Sequence, residues 1–142
     1  MPLNSYDTDP MIDYRDTHDV DLDQLAALFV TAGWNDRAYP REKLAALVAG
    51  SRFVVSAWDG PRLVGFARAI SDGVSNAYVT TVAVLPDWHG RGIGREIVRR
   101  LVEGEGKSSI RWVLHAREEL HGFYGLNGFE PAPDILWRDR RK

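Results

Sequence analysis

VTTVAVLPDWHGRGIGREIVRRL, Val79 to Leu101, reads as a strand, a tight glycine loop and an amphipathic helix in immediate succession. Val79, Val82, Ala83, Val84 and Leu85 form a short apolar run interrupted only by Thr80 and Thr81, the pattern expected of a strand buried on both faces. Pro86 ends it. Glycines at 90, 92 and 94 then let the backbone approach a ligand closely as a helix begins. In that helix Ile93, Ile97, Val98, Leu101 and Val102 make one apolar stripe, with Arg91, Arg95, Glu96 and Arg99 on the other side, and Gly104 and Gly106 supply the stop. Unpaired amides at a helix start, with arginines close by, favour an anion. A phosphate is the natural occupant.

Spacing separates the familiar phosphate loops. A dinucleotide fingerprint counted from Gly90 needs glycine where Arg95 stands, and counted from Gly92 it needs Gly or Ala where Ile97 stands. A P-loop needs Gly-Lys-Ser/Thr, but Gly94 is followed by Arg95 and Glu96. What fits is HGRGIG, His89 to Gly94, which resembles the acyl-CoA loop of the GNAT superfamily of N-acetyltransferases, with His89 where Gln or Arg is usual. A second segment, FYGLNGFEP from Phe123 to Pro131, is similar to the family's aromatic pair at a helix end followed by Gly-Phe. The resemblance extends through LVGFARAISDG, Leu63 to Gly73, and is strongest to the branch with plastid-type serotonin N-acetyltransferases and their bacterial relatives.

The resemblance implies an α/β fold of the GNAT type: a mixed, mostly antiparallel sheet with helices on both faces. It implies acetyl-CoA as acetyl donor, its pyrophosphate held by His89, Gly90, Arg91, Gly92, Ile93, Gly94 and Arg95, and its pantetheine arm paired along Val82, Ala83 and Val84 where the strand splays from a parallel neighbour. It further implies an amine acceptor, either a small molecule or a protein amine. A homodimer is compatible with the family. A glycine-rich turn that only lets a helix pack would explain the loop, but not the second motif.

At 142 residues the chain is expected to be a single domain spanning 1–142, long enough to bury a substantial core. Its 44% hydrophobic and 27% charged residues are ordinary for a globular protein, and a net charge of −2 argues against a nucleic-acid partner. No apolar run approaches 18 residues and no charged-then-apolar leader is present, so no membrane association and a cytoplasmic location are expected. With no cysteine, a cysteinyl thioester cannot carry the acetyl group, and direct attack by an acceptor bound beside the donor becomes the default. The histidines at 18, 89, 115 and 121 lack the spacing of a zinc site, so no metal is expected.

Along the chain, Met11 to Arg15 suits a first strand, and Asp19 or Asp21 can cap a helix with apolar residues Leu22, Leu25, Leu28 and Phe29. Gly33 ends that helix. Pro40 sits at or near the start of a second, which carries Leu44, Leu47 and Val48 and stops at Gly50. By resemblance these helices border the acceptor site, making Trp34 and Tyr39 candidate acceptor contacts beside the simpler reading that both pack. Arg52 to Trp58 and Arg62 to Ile70 read as a hairpin around Asp59-Gly60-Pro61, Asp72-Gly73 as the next turn, and Tyr78 to Leu85 as the third strand of a meander. Ile110 to His115 is a strand parallel to it after a right-handed crossover. A short helix over Glu118 to Leu126 and a last strand over Leu136 to Arg138 complete the expectation.

Tyr124, in the second motif, is the candidate catalytic residue. When an amine attacks a thioester, sulfur leaves with growing negative charge, and a phenol at a helix end can hydrogen-bond to it or protonate it. Full transfer from a phenol of pKa about 10 to a thiolate of about 8.5 is uphill by roughly 2 kcal/mol, so a strengthening hydrogen bond is the better role. A core aromatic with its hydroxyl at the surface is the plain alternative. No base stands out: Thr81 occupies a position where similar sequences carry an acid, and Asp72, Glu118, Glu119 and His121 are only spare candidates. That gap keeps open a non-catalytic acyl-CoA-binding or sensor module, and behind it a nucleotide-binding interaction domain.

Overall fold

The computed structural model describes residues 11–33, 39–136 and 138. Strands β1 (Asp13–Arg15), β2 (Phe53–Asp59), β3 (Arg62–Ser71), β4 (Asn76–Val84) and β5 (Arg111–Leu114) form one sheet in the order β1-β2-β3-β4-β5. Neighbours pair antiparallel except β4 and β5, which are parallel. The β2–β3 turn is tight, with Asp59 paired to Arg62 and Gly60 at φ 56°, a left-handed conformation that suits glycine.

Helices α1 (Leu22–Thr31) and α3 (Ile93–Val102) sandwich the sheet, with α2 (Arg41–Ala49) packed on α1. Adjacent residues of β3 divide the faces: a Cβ on Gly65 would lie 2.6 Å from Ile97 Cδ1 of α3, while Phe66 meets Phe29 of α1 edge-to-face at 6.2 Å. Asp21 caps α1 by accepting from the amides of Asp23 and Gln24, settling the choice between the two aspartates. Pro40 immediately precedes α2, near its start as expected. The helix after β5 is shorter than the sequence suggests: a 3-10 turn over Glu118–Leu120 leads into α4 (His121–Gly125). Leu136 and Arg138 lie outside any strand, and Trp137 between them lies outside the described residues.

β4 is buried on both faces as expected, though not along its whole length. Ala77, Val79, Thr81 and Ala83 are buried, whereas Tyr78 is 46% exposed and Val82 and Val84 are half-buried. The register with β3 puts Ala77 and Val79 on the side of Gly65 and Thr81 and Ala83 on the side of Phe66, so an irregularity near Thr80 carries the buried positions from one face of the strand to the other. The alternation was masked in the sequence because the less covered positions are also valines.

On α3, Glu96 accepts from Arg99 at Nε (2.9 Å) and Nη2 (2.5 Å) and from Arg100 Nε (2.9 Å). The Arg99 hydrogen bond is the main cause that lowers Glu96 to about 2 from the usual 4.5. A lowered folded-state value adds stability that is present above pH 4.5 and is lost as the pH falls toward 2. Because the partner arginines are solvent-exposed, the contribution is a few tenths of a kcal/mol. Glu96→Gln should therefore lower the melting temperature slightly at pH 7 and converge on the parent as the pH falls through about 2, which paired thermal melts across that range would check.

Candidate functional site

The site grows from a disagreement in length between β4 and β5. Their pairing runs from Asn76 with Arg111 to Val79 with Leu114 and then stops, while β4 continues through Val84. Against β3 the register jumps from Arg68–Thr81 to Ala69–Val79, leaving Thr80 as the extra residue of a bulge. A bulge bends its strand and increases its twist, so β4 parts from β5 at the residue where their pairing ends.

Backbone direction in the unpaired half follows from one bond. The Leu85 amide donates to the Val64 carbonyl at 2.9 Å, so Val84 and Gly65 face each other without exchanging bonds of their own. The N–H and C=O of Val84 therefore point away from β3 into the gap, as do those of Val82, while Ala83 turns its backbone to Phe66. Of the three residues expected along a pantetheine arm, Val82 and Val84 present free-edge groups and Ala83 does not.

Beyond the strand, a 3-10 turn over Pro86–Trp88 brings the chain to the glycine loop. Gly90 (φ 77°) and Gly92 (φ 79°) adopt left-handed backbone, and no atom lies within 4 Å of the Cβ either would carry. The first helical bond of α3 is Glu96 N–H to Gly92 C=O at 3.1 Å, which leaves the amides of Ile93, Gly94 and Arg95 at the open end. Arg91 and Arg95 are exposed beside them, the former with its guanidinium 4.6 Å from the centre of the buried Trp88 ring. Arg99, by contrast, is committed to Glu96 and Glu103. His89 bonds the Val84 carbonyl through Nε2 at 2.9 Å.

The second motif docks onto the first. A Cβ on Gly94 would lie 3.2 Å from Phe123 Cζ and 3.7 Å from Val84 Cγ2, so strand end, helix start and α4 meet at one point. Asn127 ties the arrangement by donating from Nδ2 to the Arg95 carbonyl at 3.2 Å. Neither contact was singled out in the sequence, although both residues lie inside FYGLNGFEP; a short helix docked on a glycine needs the third dimension to be seen. Tyr124 packs edge-to-face on Phe123 (4.9 Å) and Phe129 (6.0 Å) and lines a groove of about 1010 Å³ together with Trp112 and Leu114 of β5. Burial pushes its phenol above the ordinary value of 10, so it stays protonated at neutral pH.

Three of the four spare acid–base candidates have structural employment. Asp72 accepts from the Ser75 hydroxyl and from the amides of Val74 and Ser75, which hold its carboxyl well below the usual range. Glu119 pairs with Arg117, and His121 Nε2 bonds the Ala116 carbonyl. Thr81 is buried on the α1 face and accepts from Arg68 Nε at 3.1 Å; Arg68 Nη1 also donates to Ser51 Oγ. Tyr39 packs against the core, and Trp34 lies outside the described residues.

Comparison with known proteins agrees with this architecture. The chain is 46% identical over 78 residues to rice (Oryza sativa subsp. japonica) serotonin N-acetyltransferase 2, chloroplastic; the match covers 53% of this chain but only 38% of the rice protein's length. It is 32% identical over 133 residues to the uncharacterized N-acetyltransferase ycf52 of Porphyra purpurea, covering 87% of this chain and 75% of that one. Its fold is shared with PaiA N-acetyltransferase from Thermoplasma acidophilum, solved with coenzyme A, at a TM-score of 0.67 and 19% identity over 84% of this chain and 90% of the other. The profile described as Acetyltransferase (GNAT) family matches residues 19–129, spanning the parted strands, the glycine loop and the docked aromatic helix, and the chain belongs to that family.

Proposed function

We propose that the protein transfers the acetyl group of acetyl-CoA directly to a primary amine, donor and acceptor being bound together. The observation that carries this reading is the free edge of β4 at Val82 and Val84 running into the open amides of Ile93, Gly94 and Arg95. An extended arm bearing amides pairs with the former as an added strand, and a pyrophosphate sits on the latter. Acetyl-CoA carries both in that order. On this reading Gly90 to Arg95 hold the phosphates, with the Arg91 and Arg95 side chains adding charge-assisted bonds. Tyr124 donates its hydrogen bond to the departing sulfur. The absence of cysteine from the sequence supports direct attack over a cysteinyl intermediate.

One observation favours a second reading. Where an acid would take the acceptor's proton there is Thr81, which is not a base and is already bonded to Arg68. A module that binds acyl-CoA without turning it over has no use for that base. Calorimetry with acetyl-CoA, CoA and ADP, followed by free-thiol release against a panel of amines, separates the two. Binding that needs the pantetheine arm together with amine-dependent thiol release supports the enzyme; binding without release across small and peptide amines supports the module. No binding overturns both.

A further inference from the structure

We propose that His89 is a positioning residue: its imidazole, bonded to the Val84 carbonyl, latches the glycine loop at a fixed offset from the free edge of β4. The proposal rests on the acetyl-CoA reading, since a latch between strand and loop matters most to a ligand that must touch both.

A carbonyl oxygen can only accept, so at 2.9 Å the Nε2 of His89 must carry the hydrogen, whether the ring is neutral or cationic. The bond closes a short ring of chain: Val84, Leu85, the 3-10 turn Pro86–Trp88, and His89 itself, whose amide donates to the Pro86 carbonyl at 3.1 Å. His89 is thus held by both backbone and side chain immediately before Gly90 and Gly92, the two most conformationally free positions of the loop. The latch adds a side-chain tie from strand to loop beside the backbone bonds of the Pro86–Trp88 turn and the packing of Val84 near Gly94, and so helps to fix where those glycines place the α3 amides. The latch also takes one of the two lone pairs of the Val84 carbonyl, which the backbone direction derived above aims into the gap between β4 and β5. An arm lying there meets the N–H and C=O of Val82 and the N–H of Val84 unengaged, and finds the Val84 carbonyl already holding one donor. His89 in this way biases the register of an amide-bearing arm relative to the phosphates.

The test compares His89→Ala and His89→Gln with the parent by calorimetry, using acetyl-CoA and ADP as probes, after thermal melts establish that each variant folds. His89→Ala should weaken acetyl-CoA about tenfold, the weight of one net hydrogen bond, and ADP less than about twofold, because ADP uses only the loop. His89→Gln, which keeps an N–H donor, should recover most of the loss. Equal weakening for both probes, no weakening for either, or a glutamine no better than alanine would overturn the proposal. The ring nitrogen shifts of the ligand-free parent give an independent reading: an Nε2–H tautomer supports the latch and an Nδ1–H tautomer overturns it. A parent that binds no acetyl-CoA yet shows the Nε2–H tautomer overturns the functional reading while supporting the latch.

Discussion

Tyr124→Phe is expected to lower turnover about a hundredfold, the lower end of what a positioned proton donor contributes, while acetyl-CoA binds as before. The substitution removes one oxygen and keeps the ring, so the edge-to-face contacts with Phe123 and Phe129 survive and the helix should stay docked. Among the described residues the hydroxyl has no hydrogen-bond partner, so its removal orphans nothing. The effect should therefore fall on kcat. The pH profile sharpens the test. Burial raises the phenol above 10, so the donor is intact throughout the range from 6 to 9, and any rise of rate across that range reports loss of the acceptor's proton. That limb should be the same in parent and variant. Unchanged turnover would falsify the catalytic role; a lost limb would reassign Tyr124 to the proton path of the amine.

The largest effect on stability is expected from Ile97→Ala, about 3 kcal/mol and a fall in melting temperature of roughly 10 °C. Ile97 is fully buried and seats α3 on the sheet where β3 offers only Gly65. The fit is close enough that a Cβ at Gly65 would fall 2.6 Å from Ile97 Cδ1. Truncation there opens a cavity bounded by backbone that cannot collapse into it. The converse follows: Gly65→Ala alone must push Ile97 from its place, but combined with Ile97→Ala it should recover part of the loss. Chemical denaturation of the two single variants and the double variant gives a coupling energy, and strict additivity would show that Gly65 and Ile97 do not share the space. Because α3 also presents the loop amides, the Ile97→Ala protein should bind acetyl-CoA less tightly at temperatures where it is still folded.

What the sequence made legible was what neighbouring residues decide. The hairpin at Gly60, the apolar stripe of α3, the glycine loop and the aromatic motif all rest on patterns a few residues long, and all formed where they were expected. What it hid depended on partners distant in sequence. Nothing marks Thr80 rather than Thr81 as the bulged residue, because both are β-branched and only the register with Arg68 and Ala69 distinguishes them. Valines at 82 and 84 look like core residues until the missing cover beside them is seen. Nothing in the sequence marks Arg68, which bridges Thr81 and Ser51 in the folded chain. His89 looked like a mild departure from Gln or Arg; its hold on Val84 depends on how a 3-10 turn folds the chain back.

The parting of β4 from β5 has a consequence for how fast single protons leave the chain. Along one continuous strand, amide exchange should change character within a few residues. The protected stretch includes Val79, followed by an alternation in which Ala83 exchanges slowly and its neighbours Val82 and Val84 quickly, where simple fraying would give a steady rise toward Val84. Saturating acetyl-CoA should erase that alternation by slowing Val82 and Val84 alone. A strand that is half sheet and half vacant berth thus carries its own isotopic record of occupancy, readable one amide at a time without any turnover.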